Sequence, residues 1–291
     1  DAYRSGIGGR VQLHENGLVW AAAENIALTW MNTSIDGKAQ LPRSGYAVEI
    51  QALWYNAVSY TLALAKKQGD KEFVAEWKSI PEITKNSFIN CFWLSEGYLA
   101  DYVNADEINK FIRPNMVVAA GLDYTMLDEE KRVRVLQTVN EHLLTPRGLR
   151  TLSPRNVLYK SNYNEDQRSQ DLASRNGSAW VWPLMFYVKA CFAIGGERYV
   201  DDARKLLEAF DAELQTKCVG SISERFEGDP PHNPRGSVSH ATSVGGLLYI
   251  NMLINEYAPK KRKCVKKAAP KAEASVEEKP KRKCVRKSVT K

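Results

Sequence analysis

Long helical periodicities separated by long polar loops do most to restrict the fold of this chain. From Tyr46 to Gln68, Val48, Leu53, Trp54, Ala57, Val58, Leu62 and Leu64 approximate one helical stripe. Asp70 to Trp93 repeats the pattern with Phe73, Trp77, Ile80, Ile83, Phe88 and Phe92, and Pro81 predicts a kink or break inside it. Asn115 to Tyr124 predicts a short helix after Pro114. Asp128 to Leu144 predicts a clearer one, carrying Val133, Val135, Leu136, Val139 and Leu143. Ser178 to Ile194 is almost wholly apolar and should be buried on most sides. Arg198 to Thr216 is amphipathic again, and Ser237 to Tyr257 closes the folded body. About seven helices and little convincing strand make an all-α fold the expectation. The connections after Leu144 and Thr216 are long, rich in Gly, Pro, Asn and Asp, and dense in Trp, Arg and carboxylates. Such loops in a compact domain are functional or disordered, and this composition favours function.

The net charge of +7 misleads, because its source is local. Residues 260–291 hold 14 Lys/Arg and three Glu, which leaves 27 Lys/Arg against 31 Asp/Glu in the body. The body is mildly acidic, so the global charge gives no ground for nucleic-acid binding. In the tail, "KRKCVKK" (Lys261 to Lys267) returns as "KRKCVRK" (Lys281 to Lys287). A segment of Lys, Pro, Ala and Glu cannot bury enough apolar surface to offset its ordering entropy, which predicts disorder. The chain is therefore divided into a folded unit at 1–258 and a basic low-complexity tail at 259–291. The tail is either a contact for polyanions or a solvated segment with no specific partner. Five Cys at wide spacings, with no CxxC pair, predict reduced thiols, no metal site and a cytoplasmic location. No apolar run is long enough for a membrane span.

Seven Trp are present, and Trp on loops can stack on the apolar face of a sugar. Residues 28–57, "LTWMNTSIDGKAQLPRSGYAVEIQALWYNA", join Trp, Arg and carboxylate in one run. A second run, "GSISERFEGDPPHNPRG", spans Gly220 to Gly236. Between them lie "IRPNM" (Ile112 to Met116), "LLTPRGLRTLSP" (Leu143 to Pro154) and "NGSAWVWP" (Asn176 to Pro183). Together they resemble, in order, the motifs of the amylo-α-1,6-glucosidase part of glycogen debranching enzymes: "LTWMDA…TPR.G..VEI.ALWYNA", "IRPNQ", "LLTP.GLR.LSP", "NG..W.WP" and "SISE.FDGDPPH.PRG". The resemblance covers about residues 10 to 257 and leaves out the basic tail.

The resemblance implies a partial α/α toroid, about seven of the family's twelve helices, with the site on loops at one end. It also implies an N-terminal portion or partner chain that carries the other helices, and exposed apolar faces at the open edge. The implied activity is hydrolysis of the single α-1,6-linked glucose at a branch stub of glycogen or a related branched α-glucan, without metal or cofactor. Inverting hydrolysis needs one carboxylic acid for the leaving oxygen and one carboxylate for water, roughly 6.5–9.5 Å apart. Glu224 matches the family's base. Asn32 occupies the position of its acid, and an amide cannot donate that proton. Three explanations stay open: a silent domain that still binds α-glucan, a donor supplied by Asp36 or Glu49, or an error in the sequence. Asp36, in "SIDGK", is better suited to a turn. Substrate contacts are expected from Trp30, Arg43, Glu49, Trp54, Arg113, Asn115 and Trp182, with indoles for stacking and Arg or Asn for hydroxyls. Further departures are Met116 for Gln, Arg175 for a common His, and His240 and Thr242 within the family's "QAW". His240 is expected to line a helix.

Overall fold

The helical periodicity becomes eleven α-helices among the residues described by the computed structural model, which are 1–161, 166–217 and 219–259. A short α1 (Ala2–Ser5) precedes the long α2 (Val48–Gln68). The stretch from Asp70 to Trp93 is two helices, α3 (Lys71–Trp77) and α4 (Ile80–Phe92). Asp70 caps α3 by accepting from the Phe73 N–H at 3.0 Å, and Pro81 sits in the first turn of α4, where its missing N–H costs nothing. Next come α5 (Met116–Gly121), α6 (Glu129–His142) and α7 (Gln167–Asn176). After α8 (Leu184–Gly195), a 3-10 turn at Gly196–Tyr199 leads into α9 (Val200–Glu208) and α10 (Asp211–Thr216). The last helix is α11 (Ala241–Tyr257).

Helices α2, α5, α8 and α11 touch one another in that order. A second set covers them: α4 lies on α2, α6 on α5 and α8, and α9 on α11. Every residue of α5 is buried, so this apolar helix is the centre of the packing. Phe88, Phe92, Val117, Val135, Leu184, Phe192 and Ile250 join the layers in one core. The outward faces of α2 and α11 leave Leu53, Tyr60, Leu64, Leu248 and Met252 exposed. Residues Asp1–Ala258 pack as one compact unit. The tail and its predicted disorder lie outside the described residues, as do Cys218, Cys264 and Cys284. Cys91 and Cys191 are free thiols, and burial pushes Cys191 up to about 12. Among the described residues, no helix is long and apolar enough to cross a membrane.

The all-α expectation needs correction, because the helices carry small sheets on their connections. Strands β1 (Val11–Leu13) and β2 (Val19–Ala21) pair, as do β3 (Ser34–Ile35) and β4 (Lys38–Ala39). Three strands, β5 (Tyr46–Ala47), β6 (Tyr102–Val103) and β7 (Ile108–Asn109), form a second type of patch. The largest sheet joins β8 (Leu144–Thr145), β9 (Gly148–Arg150), β10 (Ala179–Trp180), β11 (Arg225–Phe226) and β12 (Pro234–Arg235), antiparallel throughout, in the order β12-β11-β10-β9-β8. Strands of two or three residues are too short to display a two-residue alternation. The apolar run from Ser178 hides β10 for that reason, and α8 begins only after Pro183, which occupies its N-cap.

Candidate active site

The three-stranded sheet brings a set of distant polar residues onto one buried carboxylate, Asp101. Arg43 donates to Asp101 from Nε at 2.8 Å and from Nη2 at 3.0 Å, and to both Glu49 oxygens at 2.5 and 2.7 Å. Side-chain exposure in these pairs is 1–3%, so each charge depends on its partners. Burial alone would depress the Arg43 pKa, but Asp101 and Glu49 outweigh it and hold the guanidinium above its usual range. Asn115, the N-cap residue of α5, donates to Asp101 Oδ1 at 2.7 Å and accepts from the Trp30 indole N–H at 2.7 Å. Arg113 lies beside them and donates to the carbonyls of Thr151 (3.0 Å) and Arg175 (2.5 Å) and to Asn176 Oδ1 (2.9 Å). It thereby satisfies the C-terminal end of α7, a favourable place for a cation. Burial lowers Arg113 to about 10, against the pull of Asp101.

In front of this frame stands an aromatic cluster. The Trp30 ring meets Trp180 edge-on at 5.4 Å and Trp182 at 4.9 Å. Trp180 lies in β10, paired across the sheet with Arg225 of β11, so both side chains share one face. The Arg225 guanidinium sits 5.6 Å from the Trp180 ring and donates from Nη1 to Glu224 Oε2 at 2.9 Å. Glu224 Oε2 also accepts from the Ser237 N–H at 3.1 Å, and the Glu224 N–H bonds back to the Ser237 carbonyl at 3.0 Å. Gly236 makes this return possible: its φ is +75°, and a Cβ there would come within 2.1 Å of the Glu224 carboxylate. His240, the residue before α11, places Nε2 4.0 Å from Glu224 Oε1 and its ring 6.3 Å from Trp180. The Pro-rich loop behind is stapled by Glu227, which is buried and accepts from Asn233 at 2.8 Å and from Arg235.

The second polar arm arrives from the signature at residues 28–57. Asn32 is exposed just before β3, and its Oδ1 accepts from Arg175 Nη2 at 3.2 Å. Arg175, in the last turn of α7, holds its guanidinium 4.3 Å from the Trp180 ring and 5.0 Å from the Trp30 ring. Helix α7 touches the β3–β4 hairpin, and Arg168 reaches Asp36 at 3.3 Å. Asp36 and Gly37, with φ of 52° and 74°, are the two turn residues of that hairpin, as the "DG" pair predicts.

The structure thus gathers Trp30, Trp182, Asn32 and Glu224 around Trp180. It sets Arg43, Glu49, Arg113 and Asn115 behind them, with their polar groups turned to one another. Trp54 is placed elsewhere: its N–H donates to the Gly17 carbonyl at 3.2 Å, and its ring packs at 6.1 Å on Trp77. Sequence reasoning leaves out Trp180, Asp101 and Arg225, and finds Arg175 only as a departure. The available signal for Trp180 is its place two residues before Trp182 in the motif NGSAWVWP. His240 stands at the N-cap of α11, beside the Glu224 carboxylate.

Known proteins resemble this chain to different depths. The solved structure of neutral trehalase Nth1 from Saccharomyces cerevisiae matches with a TM-score of 0.51 at 13% identity, over 74% of this chain and 40% of that one. An uncharacterized conserved protein from Thermus thermophilus matches with a TM-score of 0.53 at 13% identity, over 73% and 51%. These two likenesses concern the fold. A glycogen debranching enzyme of Saccharomyces cerevisiae is 24% identical over 231 residues, 63% of this chain. The chain spans 15% of the length of that curated relative. The family model described as amylo-alpha-1,6-glucosidase matches residues 1–249 and takes in every motif that builds the sheet and its aromatic cluster. The chain belongs to the amylo-alpha-1,6-glucosidase family.

Proposed function

We propose that residues 1–258 are the α-1,6-glucosidase module of a debranching-type protein, part of an α/α toroid acting on glycogen-like glucan in the cytoplasm. The substrate is the α-1,6-linked glucose at a branch stub. Glu224 acts as the base that takes a proton from water, and hydrolysis proceeds with inversion. Trp30 and Trp182 offer ring faces to the sugar, and the network around Asp101 holds Trp30 in place. The observation that carries this reading is the convergence of Glu224 (through Arg225) and Asn32 (through Arg175) on the ring of Trp180. Asn32 lacks the proton that the leaving oxygen needs, which costs about 10²–10⁴-fold in rate.

That same amide favours a second reading, in which the module binds α-glucan and does not cleave it. Two measurements on the purified chain separate the readings: glucose release from a phosphorylase limit dextrin, and co-sedimentation with glycogen. Slow release that disappears in Glu224→Gln supports the glucosidase. Co-sedimentation without release supports the binding module. A folded protein that neither binds nor releases glucose contradicts both.

A further inference from the structure

Asn32 is half of a pair. Its Oδ1 lies 3.2 Å from Arg175 Nη2, and that guanidinium has little room to withdraw. Arg175 is 9% exposed, stacks at 4.3 Å on Trp180 and 5.0 Å on Trp30, and donates from Nη1 to Ser174 Oγ at 3.1 Å. Its carbonyl is held by Arg113 at 2.5 Å. We infer that Arg175 is a positioning residue that orients the Asn32 amide and would hold an aspartate at position 32 in its ionised form, so that Asn32→Asp alone restores no general acid. This rests on the proposed glucosidase site.

The chemistry follows from charge. A general acid must be protonated at neutral pH until the bond breaks. A guanidinium donating to a carboxyl favours the ionised form and lowers an Asp by about 1–3 pH units from its ordinary ~3.9. Arg175 cannot supply the proton itself, since a guanidinium stays charged. With Asn at 32, the guanidinium claims the carbonyl end of the amide, which leaves the NH2 end turned away from it. That end offers N–H donors to a sugar oxygen and transfers no proton. The site is thereby suited to holding an uncleaved branch glucose, and Asn32 and Arg175 have to be changed together to recover an acid.

The other charges on the elements around position 32 sit on α7, in the hairpin and around Trp180. Arg168 of α7 is 3.3 Å from Asp36, and Asp171 accepts from Gln167 at 3.0 Å. Lys38 sits in the hairpin, while Glu224, Arg225 and His240 lie past Trp180.

The test is the ionisation of an aspartate placed at 32. In Asn32→Asp, selectively ¹³C-labelled on Asp carboxyls, the one resonance absent from wild type reports it. At about pH 4, where an ordinary Asp is near half protonated, the proposal expects under about 10% protonation. In Asn32→Asp/Arg175→Gln the midpoint should lie at least about one pH unit higher. Asn32→Asp/Arg175→Lys, which keeps the charge, should stay depressed and guards against misfolding of the Gln variant. A folded Asn32→Asp protein whose new carboxyl titrates at or above ~3.9 would overturn the inference. The titration does not depend on sugar binding, so failure of the glucan assays and failure of this proposal remain distinguishable.

Discussion

Two aromatic clusters in this protein look alike in composition and differ in surroundings. Trp30, Trp180 and Trp182 stack edge to face under an arginine, Arg175, at 4.3 Å. Trp54 meets Tyr3 and Trp77 edge to face, and Phe73 stacks on Trp77, under Arg4, 4.6 Å from the Trp77 ring. Around the first stand an amide and a carboxylate, Asn32 and Glu224, each bound to an arginine that lies over the Trp180 ring, and an imidazole, His240, beside that ring. The second sits where α1, α2 and α3 meet, with the Trp54 indole donor spent on the Gly17 carbonyl. Ring density alone therefore does not separate the proposed sugar site from a packing cluster; directional polar groups beside the rings do, because stacking gives affinity and hydrogen bonds give orientation.

The difference can be broken at both ends. Trp77 is 6% exposed, so Trp77→Ala should remove about 3–5 kcal/mol of stability through the cavity it leaves. Glycogen binding by the molecules that remain folded should be unchanged. Asp101→Ala should cost somewhat less, about 2–4 kcal/mol, because it takes one of the two carboxylate partners from buried Arg43 and leaves Glu49. It should also weaken glycogen binding, since Asn115 and Trp30 lose their anchor. Denaturant melts paired with co-sedimentation separate the two patterns. Equal effects on binding from both variants would erase the distinction between the clusters.

Glu224→Gln sharpens it further. The residual glucose release should fall by about 10²-fold or more, while stability stays within about 1 kcal/mol of wild type, because the change is isosteric. A smaller expected effect is that of Gly236→Ala. Its left-handed backbone makes a Cβ cost about 1–2 kcal/mol, and the Glu224 carboxylate must turn away from the new methyl. Glucose release should drop by more than that stability loss explains. Retained release would separate Glu224 from the chemistry.

The helices were legible wherever an apolar stripe repeats, and Pro81 marked the break between α3 and α4. Helix α7 was not, because its buried residues are Ala173, Ser174, Arg175 and Asn176, which make no apolar stripe. The strands were hidden by their length, and with them the cross-strand pairing of Trp180 with Arg225. The motifs at 28–57 and 220–236 supply the two arms of the candidate site. Trp54 shows the limit of motif reasoning: it lies in the same signature as Trp30, yet helix geometry turns it toward Trp77 and Gly17. The coupling of Asn32 to Arg175 across 143 residues needs the fold to be seen, since only the hairpin against α7 brings them together.

Glycogen affinity of Trp182→Ala against Trp54→Ala, each checked for folding, tests the account most directly. Trp182→Ala should weaken binding about tenfold, the usual effect of losing one stacked anchor, and Trp54→Ala should leave it within about twofold. Equal losses in the two variants, or a loss confined to Trp54→Ala, would contradict a sugar site built around Trp180.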